Sequence, residues 1–418
     1  MDANPDAKAF THDEETLDPA DWDELRALGH RMVDDMLAYL ESLRERPLWQ
    51  PLPDDINEAF DGAVPRQPQG VEQAYADFQE QVLPYPMGNI HPRFWGWVMG
   101  NGTPFAALTE MLAATVNANM AGGHHAPNRV EAQVIDWFKT LMGFPDSASG
   151  LLVTGASMAN LIALTVARNV KAGFDVREHG LMSGKRRLTL YASKETHSSV
   201  QKAVELLGLG KNALRLIDTR DDFTIDVDKL KLCIQTDIAM GYQPFCVVGN
   251  AGTVNTGAVD DLHALADVCQ EYDLWLHIDG AFGALARLAP DDHYRVAGLE
   301  RAHSLGFDLH KWLYMPFEVG CVLVRQADEH RSAFSLMPDY LIHGERGIAG
   351  RFGWFSDYDI QLTRGFRALK VWMSIKAEGI DKFGRLIQQN IDQARSLADL
   401  IERTPHLELC APVVLNFV

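Results

Sequence analysis

The chain has 418 residues, 47% hydrophobic and 23% charged, the composition of a folded globular protein of about two or three domains rather than a disordered or membrane-spanning one. A net charge of −19 opposes general attraction to nucleic-acid backbones or anionic membranes, and no apolar run is long enough to cross a bilayer. The five cysteines are widely spaced and free of CxxC pairs, so neither a disulfide framework nor a zinc cluster is expected.

The opening MDANPDAKAFTHDEETLDPADWDEL is acidic and has neither the basic nor the apolar region of a secretory signal, which predicts a cytoplasmic protein. From Asp21 to Glu45, Leu25, Leu28, Met32, Met36, Leu37 and Leu40 recur at helical spacing and predict an amphipathic helix with one apolar face to bury. RPLWQPLPDD, broken by prolines, reads as an extended connector. Two helical patterns, EAQVIDWFKTLMG and SMANLIALTVARNV, then flank the short apolar run GLLVTG. RLTLYAS, ALRLID, PFCVVGNAG, LWLHIDGA and GCVLVR follow, with helical segments such as VQKAVELLGL and LHALADVCQEY between several of them. That alternation predicts an α/β domain with a largely parallel sheet. After about Arg331, TRGFRALKVWMSIKAEG and FGRLIQQNIDQARSLADLIER predict two helices, and CAPVVLNFV a last strand without a hairpin partner. The expected organisation is an N-terminal helical segment over 1–90, a large α/β domain over 91–330 and a smaller C-terminal domain over 331–418 that looks incomplete as given.

Ligands of such sheets sit at the carboxyl ends of strands, so the residues just past each apolar run carry the functional signal. In TGASMAN, a helix start with Ser157 beside it could bind a phosphate, or be a plain capping turn; the spacing of neither a dinucleotide fold nor a P-loop is present. In LWLHIDGAFGA, Asp279 closes an apolar strand, where it could hold a protonated ring nitrogen or cap the next turn. His197 in KETHSSV could stack on an aromatic ligand or serve structure alone. In FDLHKWLYMP, Lys311 sits among apolar neighbours, where desolvation would favour a neutral, nucleophilic amine unless the side chain reaches solvent. Phosphate turn, histidine, aspartate and lysine, in that order, describe a pyridoxal phosphate site.

HPRFWGWV, TGASMANLIALTVAR, HSSVQKA, GTVNTGAVDDL, HIDGAFG and LHKW together resemble the group II pyridoxal-phosphate-dependent amino acid decarboxylases, the aromatic-L-amino-acid decarboxylase-like branch among them, from about Asp21 to Val418. The resemblance implies the fold-type-I, aspartate aminotransferase-like architecture and a homodimer in which the N-terminal helix wraps around the second subunit. It makes Lys311 the lysine that holds the cofactor as a Schiff base, Asp279 the partner of the ring nitrogen, and His197 and Ala281 the residues against its two faces. Ala156 and Ser157 would hold the phosphate, helped by His310 and Ser304, with Thr253 at the cofactor's polar rim. Decarboxylation would pass through an external aldimine and a quinonoid intermediate, protonated at Cα by Tyr340; relatives with phenylalanine there tend to form aldehydes.

Trp97, Val98 and Met99 match the stretch lining the substrate side-chain pocket, and the flat apolar surface of Trp97 with Phe94 and Trp95 favours an aromatic amino acid. Met99 stands where proline is usual, Asn119 replaces a large apolar residue near the partner's pocket, and Thr363 occupies a position tied to substrate choice. His124 and His125 replace a Ser-Pro pair; without HxxxH or HExxH spacing no metal site is expected, and one of the two is expected to face the neighbouring subunit's site. An aldehyde synthase, a decarboxylase of a non-aromatic amino acid and a non-catalytic cofactor-binding relative remain alternatives.

Overall fold

Seven short runs form one sheet: β1 (Ser149–Val153), β2 (Leu188–Ser193), β3 (Leu214–Ile217), β4 (Gln243–Asn250), β5 (Trp275–Asp279), β6 (Ser304–Asp308) and β7 (Gly320–Val324). The computed structural model describes residues 16–336 and 353–418, together with Gly347. Strand order is β1-β7-β6-β5-β4-β2-β3; β7 runs antiparallel to both neighbours and every other pair is parallel. The expected parallel α/β sheet is therefore present, with one reversed strand. β6 was not among the expected strands, because SLGFD is short, broken by Gly306 and ends in a carboxylate.

The strands are almost continuously buried because helices cover both faces. Alternate residues point to opposite layers: Leu152, Leu276, Ile278 and Phe307 join one apolar core, and Leu151, Val153, Trp275 and Val322 the other. The helix Ala156–Lys171 packs Ile162, Ala163 and Val166 into the second core. On the opposite face, Ala126–Met142 contributes Val134 and Phe138, and Ile380–Glu402 contributes Ile387 and Ile391. The expected C-terminal strand does not form. Residues 410–418 are irregular, although Leu415 is fully buried and Phe417 lies 5.3 Å from the Phe282 ring. The apolar pattern there marks burial without a ladder partner.

The described residues gather into two compact units, one ending at Phe94 and one spanning Trp95–Val418. In the first, the helix Trp22–Glu41 starts on Asp21, whose carboxylate accepts the Asp23 and Glu24 amides. Leu28 is buried on that helix, whereas Leu25, Met32 and Leu37 remain exposed, so the apolar face read from the sequence is largely open in the single chain. Among the described residues no helix is long and apolar enough to cross a membrane.

Candidate active site

The carboxyl ends of β1, β2, β5 and β6 lie along one edge of the sheet. β5 ends on Asp279, and β6 ends on Asp308 and turns directly into the helical segment Leu309–Trp312, which carries Lys311. β1 leads through Thr154 and Gly155 into the helix starting at Ala156. A cavity of about 590 Å³ opens between them, lined by Ala156, Ser157, His197, Asp279, Ala281, His310 and Lys311 among others. Four strand ends thus bring together residues spread over more than a third of the chain.

Lys311 is fixed by its neighbours. Leu309 and Leu313 are fully buried, and the Trp312 indole donates to Asn390 Oδ1 at 3.0 Å. The amine itself lies 3.1 Å from Asp308 Oδ2, an ionic partner that the desolvation argument did not count. Asp308 Oδ1 accepts the Ala156 amide at 2.7 Å, and His310 Nε2 stands 3.6 Å from Oδ2. Burial holds the His310 imidazole below its ordinary range, which keeps it neutral. β7 enters this corner by its first residue: a Cβ on Gly320 would lie 2.7 Å from Gly155 Cα and 2.8 Å from Asp308 Oδ1, so only glycine leaves room for that carboxylate.

Asp279 is buried and accepts from Asn160 Nδ2 at 2.8 Å and from the Ala281 amide at 3.1 Å. Among the described residues no lysine or arginine pairs with it. His277, two residues earlier on the same face of β5, is fully buried, and burial pushes it down to about 4. His197 closes the cavity from the start of the helix Ser198–Leu206, its Nδ1 accepting from the Ser199 amide at 3.2 Å.

A second cavity, of about 240 Å³, shares His197, Asp279, Ala281 and Lys311 with the first. Its other walls include Trp97, Val98, Met99, Thr253, Val254 and Phe282. The residues expected at the cofactor and at the substrate side chain therefore occupy adjoining spaces around one amine. Thr253 Oγ1 also accepts the Ala258 amide at 3.1 Å, which shapes the loop after β4. Ser304 does not line either cavity: it is fully buried behind Asp279, bonded to the Trp275 indole and to His277, so it stands away from the expected phosphate position. Asn119 and Thr363 are also outside both walls; Asn119 Oδ1 accepts the Arg364 amide at 3.1 Å, which brings the two together at another corner. His125 Nε2 lies 3.2 Å from the Gly122 carbonyl. Tyr340 lies outside the described residues.

Two features were missed in the sequence. Asn160 sits one helical turn beyond Ala156 in an otherwise apolar helix face, and that lone buried amide was the available signal. The fully buried pair Arg364–Glu131, N–O distance 2.5 Å, had no local signal, since the partners are 233 positions apart.

The donor set fits pyridoxal phosphate: an amine for the aldehyde, a buried carboxylate without a cationic partner for the ring nitrogen, and a helix start for the phosphate. The sheet and these donors are those of the fold-type-I pyridoxal phosphate enzymes. More particularly, the chain belongs to the pyridoxal-dependent decarboxylases, whose conserved domain matches residues 53–418, and it is accordingly a carboxy-lyase that uses pyridoxal phosphate. It is 35% identical over 401 residues to an aromatic-L-amino-acid decarboxylase of Bacillus atrophaeus, covering 95% of this chain and 81% of that protein. It is 27% identical over 413 residues to a phenylacetaldehyde synthase of Arabidopsis thaliana, covering 96% of this chain and 83% of that one. The crystal structure of Oryza sativa TDC with PLP and tryptamine shares the fold with a TM-score of 0.86 at 24% identity, over 96% of this chain and 84% of that one.

Proposed function

We propose that this protein decarboxylates an aromatic L-amino acid to its amine, with Lys311, Asp279 and His197 as the principal site residues and Tyr340 as the acid. The observation that carries the reading is the pair of adjoining cavities around Lys311, one polar and anchored on Asp279 and the helix start, the other walled by Trp97, Val98, Met99 and Phe282. Among the described residues, Lys311 is the one lysine or arginine in the wall of the smaller space, which favours an uncharged aromatic side chain over an acidic one.

Pyridoxal phosphate, when bound, supplies a sink for the electrons released as the bond to the α-carboxylate breaks. Lys311 is the amine that holds it covalently and yields to the substrate's amine. Asp279 holds a proton on the ring nitrogen, and His197 and Ala281 position the ring. Ala156 and Ser157 bind the phosphate, and Thr253 orients the polar rim. Tyr340 returns a proton to the substrate's Cα; a phenol with a pKa near 10 still carries its proton at neutral pH.

The active form we propose is a homodimer. Phe105, Met111, Leu112 and Val116 leave one face of the helix Pro104–Val116 exposed and apolar, and a second copy would cover it. Asn119 and Thr363, outside this chain's own cavities, then act in the partner's substrate pocket. Five unpaired cysteines suit a reducing, cytoplasmic setting.

The test is carbon dioxide release with added pyridoxal phosphate across all L-amino acids and common aromatic derivatives. Aromatic substrates should give stoichiometric amine. Release confined to acidic or aliphatic amino acids would overturn the aromatic assignment, and peroxide and ammonia without amine would make the protein an aldehyde synthase.

A further inference from the structure

Behind the cavity, seven buried or cavity-lining side chains form a hydrogen-bond network whose direction can be assigned from both ends. At the near end Asp279 has only acceptors, so Asn160 must present its Nδ2 amide, 2.8 Å from Asp279 Oδ2. Asn160 Oδ1 therefore faces His277 Nε2 at 2.9 Å, and that nitrogen must carry hydrogen. At the far end the Trp275 indole can only donate, and it does so to Ser304 Oγ at 2.8 Å. Ser304 then donates its own hydrogen to His277 Nδ1 at 2.9 Å, which agrees with the neutral Nε2–H ring required from the other side. All four residues behind Asp279 are at most 1% exposed, so water does not compete.

The network divides at Asn160. Its amide also donates to Ser199 Oγ at 3.1 Å, which leaves the Ser199 hydroxyl hydrogen for His197 Nδ1 at 2.9 Å. Nδ1 receives the Ser199 backbone N–H as well, so it bears no hydrogen and His197 carries its own on Nε2. One amide thus orients the carboxylate at one side of the cavity and fixes the tautomer of the histidine at another.

We infer that Asn160 is a positioning residue that, through Asp279 and through Ser199 to His197, sets the two side chains that grip the cofactor ring, with Ser304 and His277 fixing its orientation from behind. The inference rests on the proposed cofactor roles of Asp279 and His197. Asn160→Asp keeps shape but removes the neutral amide that donates to both Asp279 and Ser199, and it places a second carboxyl against Asp279 so that the pair must hold a proton between them. Ser304→Ala removes a link that touches neither cavity and frees the His277 ring.

The cofactor-free protein is titrated with pyridoxal phosphate, following tryptophan fluorescence and the absorbance of the bound cofactor, with circular dichroism to establish folding. Loss of a hydrogen bond to a charged group is expected to raise the Kd about tenfold or more in Asn160→Asp. It should also change the ratio of the bound cofactor's absorbance bands, and Ser304→Ala should change it in the same direction by less. A folded Asn160→Asp protein with wild-type Kd and spectrum would overturn the inference. If that variant does not fold, Ser304→Ala indistinguishable from wild type in both readouts would overturn it. Failure of the wild-type protein itself to bind pyridoxal phosphate would instead remove the underlying reading.

Discussion

Replacing Arg364 by methionine tests how the site is held in place. The Arg364 guanidinium is fully buried; it pairs with the equally buried Glu131 and donates to the carbonyls of Met120 at 2.8 Å and Leu152 at 2.6 Å. Glu131 Oε1 also accepts the Leu152 amide at 3.2 Å, so the pair ties the helix Ala126–Met142 to the end of β1, two residues before the turn into the helix Ala156–Lys171. Arg364→Met strands a buried carboxylate and two carbonyl oxygens. Breaking such a pair from one side costs about 3–5 kcal/mol. Replacing both partners by groups of similar size is far milder, so Glu131→Gln added to Arg364→Met should recover roughly half of that loss, the amide still serving Leu152. The assay is urea unfolding of the cofactor-free protein at fixed concentration, followed by tryptophan fluorescence. A loss below about 1 kcal/mol in Arg364→Met, or a double variant no more stable than the single one, would refute the account.

Three further outcomes are expected. Lys311→Ala should abolish the visible absorbance of bound cofactor and lower turnover by about 10³-fold or more, measured by carbon dioxide release. Gly100→Ala should lower kcat/KM about tenfold or more while the protein still folds: a Cβ there would lie 1.5 Å from the His310 carbonyl oxygen, so the wall formed by Trp97, Val98 and Met99 must retreat from Lys311. Stability should fall in mild acid. Burial pushes His277 to about 4 and His330 to about 3, whereas the unfolded chain takes up these protons near 6.5. The stabilisation is therefore present above pH 6.5 and is lost toward pH 4, at about 1.4 kcal/mol per pH unit for each ring, and urea midpoints that stay level between pH 6.5 and pH 5 would contradict it.

What could be read in advance follows from the range of the signal. Lys311, Asp279 and His197 were legible because each lies at or just beyond the end of a short apolar run, and such ends share one edge of a parallel sheet. Their order along the chain pointed to one shared site, and the three do line one cavity. Ser304 was misplaced because a serine opening β6 looks, in one dimension, as close to Lys311 as any other hydroxyl; the pleat and the parallel pairing with His277 turn it behind Asp279. Residues 410–418 showed the pattern of a buried segment, and burial is what the structure gives them; strand pairing depends on a neighbour that apolar spacing alone does not specify. Arg364 and Glu131 were invisible for the same reason at longer range.

The aspartate in FDLHKWLYMP shows how the cavity divides its charges. Asp308 stands near the expected phosphate position, where a carboxylate must be turned away or hydrogen-bonded. It is hydrogen-bonded: Oδ1 takes the Ala156 amide and Oδ2 pairs with Lys311. The lysine's charge is therefore met by Asp308 and not by Asp279, although both carboxylates border the same cavity. Among the described residues Asp279 is held by the neutral donors Asn160 and Ala281 and by no lysine or arginine, which suits the cationic partner proposed for it. Had Lys311 paired with Asp279 instead, a protonated ring nitrogen would have to displace an existing ion pair before it could bind. With Asp308 occupied by the lysine and the helix start, the two carboxylates are satisfied separately within one small space, which is the division of charge that the proposed roles of Lys311 and Asp279 require.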